Sequence, residues 1–554
     1  MTDQLIMDDR SGQPAQRQPA LAELDDAARQ GRFQVLQQRM EPVWDAWGLD
    51  LPDESVVVVP SITVSRGVAT GSALTQAFEE RLLFLLLLLR QPRARLIYVT
   101  SQMILANIID YYLDLLPGVI PSHARPRLFL IAPLDGSARP LSDKLLDRPR
   151  LIERIRSLIM DPARAHLVPF NTTSREKELA LRLGIPMYGA DPKFFSLGTK
   201  SGCRKIFMEE NVPHPLGHEN LGSKEELIEA IAQMRAKKPS IKQVLVKLNE
   251  GVSGEGNAII DLTGLPPVVP TGRDDAGHKE VSTQPGSTIP ATTSKERALL
   301  EERLRAMRFE LEGITYESYM KTLQERKGVV EERIMGEEFR SPSVQLRITP
   351  LGKVELLSTH DQLLGGPSGQ SYLGCVFPAD KGYAPLITRE AAKVGRRLAK
   401  EGVIGRFALD FVVVRSNGKW EPYAIEINLR KGGTTHPFLT LQFLTDGKYD
   451  PDTAIFTAPN GQQKFFVASD HVESPAYRTL TPDDLFDIVV RNNLHFGQTR
   501  QTGVVFHMMS ALGELGRTGL TAVGNSRDDA KALYERAIAV LDQETRSAGD
   551  ALHG

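Results

Sequence analysis

Asp410 lies in the apolar run Phe407-Ala-Leu-Asp-Phe-Val-Val-Val414, and Glu426 and Asn428 lie in a second one, Tyr423-Ala-Ile-Glu-Ile-Asn-Leu429. Strand side chains alternate between faces, so Glu426 and Asn428 project together while Ile425, Ile427 and Leu429 pack the other way. Two carboxylates and an amide oxygen are hard ligands that suit Mg²⁺, an ion that also holds substrate phosphates. The alternative for such a pair is structural, an acid cluster that caps turns or joins buried ion pairs. Context favours the metal. Directly downstream comes Arg430-Lys-Gly-Gly-Thr-Thr-His-Pro437, a cationic glycine-rich turn able to present backbone amides to an anion. Upstream, Asn249-Glu-Gly-Val-Ser-Gly-Glu-Gly-Asn257 joins a strand over Gln243 to Leu248 to a short strand over Ala258 to Ile260. Its residues Gly251, Ser253, Gly254 and Gly256 could fold backbone amides over phosphate oxygens, with Lys247 adding a point charge. The same loop read alone is equally a simple turn. It is no Walker A loop, because Gly-Lys-Ser/Thr opening a helix is absent.

Those residues need a large scaffold, and 554 residues allow several domains with ample core. With 67 basic and 69 acidic residues the net charge is −2, which gives no general reason to expect nucleic acid or an anionic membrane as partner. The two cysteines, Cys203 and Cys375, cannot build a disulfide framework or a zinc cluster; they fit small core positions and a reducing cytoplasm. Residues 1 to 20 are polar and lack the pattern of a signal peptide, and Leu82 to Leu89, bracketed by Arg81 and Arg90, is too short to span a bilayer.

The elements fall into blocks, with a disordered leader expected over 1–20. From 21 to 195, continuous apolar runs such as Val56-Val-Val-Val59, Leu96-Ile-Tyr-Val-Thr100 and Leu128-Phe-Leu-Ile131 alternate with helical stretches, which predicts a parallel sheet covered on both faces. This is a Rossmann-like layer without a GxGxxG fingerprint, so no dinucleotide is expected there. Residues 196–325 carry helices from Lys200 and Lys224, the glycine-rich hairpin and a linker over 263–294 with almost no aliphatic side chains. Residues 326–474 alternate short strands, including a hairpin through Thr349-Pro-Leu-Gly352, and 475–554 predict a small α/β cap.

This order of elements resembles the ATP-grasp superfamily over roughly residues 56 to 440. The carriers are a lysine after the first layer, a strand lysine before a glycine loop, the Val-Glu-Glu-x-Ile-x-Gly-x-Glu segment, and a late Asp followed by Glu-x-Asn. Within it, the chain is most similar to the pheganomycin-type peptide ligases, on Gly198-Thr-Lys-Ser-Gly-Cys-Arg204, Val246 to Gly256, Thr359-His-Asp-Gln362, Gly374-Cys-Val-Phe-Pro378 and Ile425 to Pro437. Gly503-Val-Val-Phe-His507 and Gly516-Arg-Thr-Gly519 extend the likeness past the catalytic core. The resemblance implies a multidomain α/β and α+β fold: a Rossmann-like pre-ATP-grasp domain, two α+β subdomains gripping ATP, and the cap. It implies that Lys200 and Lys247 contact nucleotide phosphates, with Lys205 competing for the first role. Glu331 would accept from the adenine amino group beside the Ile334 backbone, and Glu338 would bind the ribose hydroxyls. Asp410, Glu426 and Asn428 would hold two Mg²⁺ ions, or Mn²⁺, across the β- and γ-phosphates.

The implied chemistry is an ATP-dependent joining of a small-molecule carboxylate to an amine, an amino acid or peptide, through an acyl phosphate, with release of ADP and phosphate. Positioning and charge stabilisation dominate such a reaction. Arg430 and the Gly432, Gly433, Thr434 and Thr435 turn would hold the carboxylate and its oxyanion, and the loop over 251–256 would exclude water. D-alanine ligases carry an arginine two residues before the metal-binding Asp, where this chain has Ala408; Arg406 or Arg430 is the candidate replacement. His360, Asp361 and His436 are candidate substrate contacts, each with a turn or capping role as the alternative. A homodimer is compatible with all of this. Two rivals stand: a different ATP-grasp phosphoryl transfer, and a non-catalytic nucleotide sensor. An intact ligand set speaks against the sensor, and the absence of a Met-Lys-Met carrier motif against a biotin carboxylase.

Overall fold

Four runs of β-branched and aromatic residues build the first sheet, because fully covered strands need no polar face. These are β1 (Ser55–Val59), β2 (Arg95–Val99), β3 (Leu128–Ile131) and β4 (Ala165–Pro169), all parallel in the order β3-β2-β1-β4. The structure, a computed structural model, describes residues 21–46, 53–63, 72–251, 256–266, 293–311, 313–365, 369 and 371–553. Val56 and Val58 enter one apolar cluster with the helical stretch Glu80–Arg90, while Val57 and Val59 enter another with the helices Pro149–Leu158 and Ser174–Leu183. The strand order turns back between β1 and β4, so their C-terminal ends flank a crevice.

The second sheet is antiparallel and holds β5 (Gly217–Leu221), β6 (Gln243–Leu248), β7 (Asn257–Asp261), β8 (Arg308–Phe309) and β9 (Gly328–Glu332) in the order β5-β9-β6-β7-β8. β6 and β7 pair as the expected hairpin, with Lys247 opposite Asn257. Ser253, Gly254 and most of the 263–294 linker lie outside the described residues, as does the leader.

The third sheet has nine strands. It contains β10 (Glu338–Arg340), β11 (Pro342–Ile348), β12 (Val354–Gly365), β13 (Ser371–Phe377), β14 (Gly405–Ser416) and β15 (Lys419–Asn428), over the helix Ala384–Glu401. A small hairpin follows, β16 (Lys448–Asp450) with β17 (Ile455–Thr457). The last block then adds β18 (Phe465–Glu473), β19 (Gly503–His507) and β20 (Arg517–Gly524), which pair onto β13 through β18 and continue the nine-stranded sheet. Cys203 and Cys375 are buried, as expected of small core residues, and Met508 and Met509 are buried with them.

One buried ionic knot ties the second sheet to the helix that carries Lys200. Glu331, 2% exposed on β9, takes Lys247 Nζ of β6 at 2.7 Å on one oxygen and Arg204 NH1 of the helix Lys200–Glu209 at 2.9 Å on the other. Arg204 also bonds Glu219 on β5 and the Pro215 carbonyl. Burial alone would raise the Glu331 carboxyl, but the two cations outweigh it and bring the group down to about 2. Breaking such a pair leaves buried charge without compensation. Glu331→Gln should therefore destabilise the fold by about 3–5 kcal/mol at neutral pH. The sign with pH follows: a carboxylate with a depressed folded value contributes stability above about 4.5 and loses it as pH falls toward 2. Thermal unfolding of both proteins between pH 3 and 7 should show the gap closing as pH falls; a gap independent of pH would refute the assignment.

Candidate functional site

β14 and β15 run antiparallel with Asp410 directly opposite Glu426. The ladder then skips a residue, pairing Phe411 with Ala424. That bulge corrects one expectation: Ile425 does not pack away but lines the cavity beside Glu426 and Asn428. Ile427 does pack away, in the apolar cluster beneath, where its N–H donates to Cys203 Sγ. Asp410 Oδ1 accepts from Gln362 Nε2 at 3.1 Å, and Oδ2 from Asn428 Nδ2 at 2.9 Å. Burial, then the Glu426 charge facing it, pushes the Asp410 carboxyl up to about 6. Two repelling carboxylates and an amide whose N–H₂ goes to Asp410 and leaves its oxygen free of that bond form a hard oxygen set, of the kind that suits Mg²⁺ or Mn²⁺. Lys200 Nζ answers part of that negative charge, 2.5 Å from Glu426 Oε1.

Lys200 is held in place by its own helix start. Thr199 caps the helix by accepting from the Gly202 N–H, and Asn249 locks the first turn, accepting from the Ser201 N–H and hydroxyl while its carbonyl takes the Lys200 N–H. A side chain at Gly202 would meet the Ser196 carbonyl oxygen at 1.9 Å, so the tight approach demands glycine. Lys205, on the same helix, is exposed and pairs with Glu209, which removes it from competition with Lys200.

A cavity of about 1100 Å³ opens between the second and third sheets and is lined by Lys200, Lys247, Glu331, Ile334, Asp410, Glu426, Asn428 and Arg430 among others. A second cavity of about 710 Å³ meets it at Gly251, Asn257, Leu311, Glu426, Asn428 and Arg430. Gly256 lines this smaller one, with Thr63 and Asn171 from the crevice after β1 and β4. The expected phosphate lysines, metal ligands and Arg430 therefore converge. Glu331 converges too, but its oxygens are committed to Lys247 and Arg204, a partner the spacing did not reveal. Glu338 stands outside the residues lining either cavity and bonds Arg415 at 2.9 Å.

The turn after β15 docks on the first sheet: Lys431 Nζ donates to the Pro169 carbonyl at the end of β4, and the Lys431 N–H to the Phe170 carbonyl. Burial brings the Lys431 ammonium down to about 7. Gly433 and Thr434 line the large cavity; Thr435 does not, because its hydroxyl accepts from the Gly432 N–H and donates to Gln345. Arg430 lines both cavities, and burial lowers its guanidinium from the usual range while Glu426 and Asp410 work against that.

Four expectations of direct chemistry are corrected. Arg406 sits by Tyr188, Arg347 and Glu355, outside both cavities, and burial brings it down to about 10. His360 is fully buried among Phe377, Phe438 and Phe466, with Ser358 at 2.8 Å and a proton affinity driven down to about 3 by that burial. Asp361 takes the Tyr383 hydroxyl and the Asp380 N–H and holds a corner of the fold. His436 is buried behind the cavity wall, 3.0 Å from His507 and 3.2 Å from Asp470. Spacing missed Arg81, Asp470 and Arg517, all of which line the large cavity. Arg517 stood inside a quoted phrase and Arg81 at the edge of the apolar run, yet neither position carried a sign of its partners.

Residues 194–452 match the family model described as IQCH-like, ATP-grasp, and residues 484–537 match that of the PGM1 C-terminal domain. The chain is 29% identical over 460 residues to L-propargylglycine–L-glutamate ligase of Streptantibioticus cattleyicolor, covering 82% of this chain and 86% of that one. It is 27% identical over 367 residues to IQ motif-containing protein H of Danio rerio, spanning 62% of this chain but only 34% of that relative. Among solved structures, a biotin carboxylase from Campylobacter jejuni aligns with a TM-score of 0.49 and 14% identity, over 87% of this chain and 90% of that one. The IQCH-like ATP-grasp match over 194–452 covers the stretch that carries Lys200, Lys247, Asp410, Glu426, Asn428 and Arg430, so the chain is similar to that family where these residues converge.

Proposed function

We propose that this chain is an ADP-forming, ATP-dependent carboxylate–amine ligase that works through an acyl phosphate. The observation that carries it is the convergence of Lys200, Lys247, Asp410, Glu426, Asn428 and Arg430 on one cavity. The relative named as a ligase, similar over most of both chains, supports the same reading. ATP would lie between the second and third sheets with its base toward Ile334 and its phosphates toward the two lysines. Glu331 would serve the adenine end from within its ionic knot, and Glu338 the ribose at the rim. Asp410, Glu426 and Asn428 would hold two divalent ions, Mg²⁺ or Mn²⁺, which supply charge neutralisation at the phosphates.

The chain's own residues do the rest by position and charge. A carboxylate oxygen attacks the γ-phosphorus and ADP leaves. The neutral amine then attacks the acyl carbon, the acyl C–O bond to phosphate breaks, and the nitrogen gives one proton to the departing phosphate, leaving the amide N–H. Arg430 stands where it can take the charge that Ala408 cannot, close enough to Asp410 and Glu426 to feel both. Arg430 and the Gly433-Thr434 backbone would bind the reacting carboxylate and its oxyanion. The loop from Gly251 to Gly256 would close over the phosphates and keep water from the acyl phosphate.

The partners in this reading are a small acid and an amine, amino acid or peptide, for a cytoplasmic enzyme; a homodimer is compatible with it. The domain division proposed with it is 1–20, 21–195, 196–325, 326–474 and 475–554. Among the described residues no helix is long and apolar enough to cross a membrane. A nucleotide sensor is the second reading; the complete ligand set favours turnover.

ADP formation from ATP with pooled acids and amines tests the proposal. Release that requires both is expected, and ATP hydrolysis indifferent to the amine would refute a ligase. Glu426→Gln should remove at least 10³-fold of the turnover while leaving the unfolding temperature within a few degrees, and activity near wild type would take Glu426 out of the site. A pH effect follows from Asp410. With its carboxyl raised to about 6, it is protonated below that pH and cannot accept a cation. The affinity for Mg²⁺ with ADP should thus fall about tenfold for each unit below pH 6 and level off above it, by calorimetry. Constant affinity from pH 5 to 7 would contradict the assignment.

A further inference from the structure

The large cavity runs on past Arg430 into a wing that the nucleotide reading does not use. There it is lined by Arg81, from the helical stretch that follows the first strand, and by Arg517 at the start of β20. Both side chains are nearly buried, at 8% and 12% exposure. Asp470 stands between them: its Oδ2 takes Arg81 NH1 at 3.0 Å, and its backbone carbonyl takes Arg517 Nε at 2.7 Å. Arg81 also lies over the rings of Phe78 and Phe170 at 4.4 and 4.9 Å, which fixes its plane. Arg430 and Arg517 each feel the Arg81 charge, so the three guanidinium groups share one neighbourhood.

The charge there does not balance. Asp410 and Glu426 answer Arg430, Asp470 Oδ1 is taken by His507 at 2.7 Å and His436 at 3.2 Å, and Glu473, 3.8 Å from Arg517, is more than half exposed. Each guanidinium has five N–H donors. Among the described residues, the hydrogen bonds they make are one each: Arg81 to Asp470, Arg517 to the Asp470 carbonyl, Arg430 to the Lys431 carbonyl. Buried guanidinium groups with so many donors left over call for an anion, and their planar fork matches a carboxylate. The opposite wall is close: a side chain on Gly433 would meet the Tyr372 ring at 2.4 Å, so the wing admits a small group.

We propose that Arg81 and Arg517 form a second carboxylate subsite that holds the non-reacting carboxylate of an α-amino-acid substrate. It rests on the ligase reading above and goes further by naming the substrate class. Arg430, beside Asp410 and Glu426, faces the carboxylate that is phosphorylated; Arg81 and Arg517, beside Asp470, face the one that is not. Recognition then requires a substrate with a free carboxylate in addition to the group that reacts, and excludes simple amines and amino-acid carboxamides.

The test supplies a fixed pool of N-acetyl amino acids as the acid to be phosphorylated and compares two sets of amine substrates in the ADP-release assay with ATP and Mg²⁺: the common L-amino acids, and the same set as carboxamides. Wild-type protein should prefer the free acids by at least tenfold in kcat/KM. Arg517→Gln should raise KM for the free acids about 10- to 100-fold, leave KM for ATP unchanged, and erase the preference. Arg517→Lys should recover part of it. Carboxamides used as well as acids by wild type, or a preference untouched in Arg517→Gln, would overturn the subsite. A purely structural role would lower kcat for both sets alike and keep their ratio, which also overturns it. If neither set yields ADP, the ligase reading itself fails. Binding of L-glutamate to the ADP-loaded protein by calorimetry then decides the subsite alone: binding lost in Arg517→Gln supports it, and equal or absent binding in wild type refutes it.

Discussion

The pairing of β14 with β15 sets two carboxylates face to face, and much of the surrounding structure answers that repulsion. Asp410 opposite Glu426 is electrostatically expensive in a buried place, and Asp410 holds its proton more tightly as a result. The neighbourhood supplies relief on every side: the Lys200 ammonium on Glu426, the Asn428 and Gln362 amides on Asp410, and the Arg430 guanidinium within reach of both. Two cations thus face two carboxylates, with the amides filling the remaining contacts on Asp410.

Positioning comes from elements far apart in the chain. Lys200 depends on a helix whose first turn is pinned by Asn249, some fifty residues later, and whose Arg204 is locked to Glu331 on β9. The Arg430 turn depends on Lys431 reaching the end of β4 in the parallel sheet. A third tie, Arg81 to Asp470, joins the helical stretch after β1 to the last strands of the large sheet. Each tie is a charge-assisted bond in a dry place, where a lost partner is costly, so the three sheets are held at the cavity itself rather than only through their cores.

Much of this was legible beforehand where local pattern decides. Continuous apolar runs announced the parallel sheet, and the alternation in Tyr423 to Leu429 put Glu426 and Asn428 on one face. It misplaced Ile425, because a bulge is a property of the pair of strands and not of one. His360, Asp361 and Arg406 had the chemical types of site residues, but burial direction decided otherwise: β12 turns His360 into an aromatic core, and β14 carries Arg406 beyond the end of the cavity. Lys205 differs from Lys200 by little more than one helical turn, which is enough to send it to solvent.

The sequence by itself determined the elements and the residue types at the site: the oxygen donors on two late strands, the hairpin behind Lys247, and their order along the chain, since these follow from local periodicity and donor chemistry. Tertiary structure alone decided which charges meet. Glu331 became the centre of an ionic knot, the strands of the expected cap joined the large sheet, and Arg81, Asp470 and Arg517 were gathered from opposite ends of the chain into one cavity wing. Contacts across hundreds of residues depend on strand register and sheet order, which no local run of residues encodes.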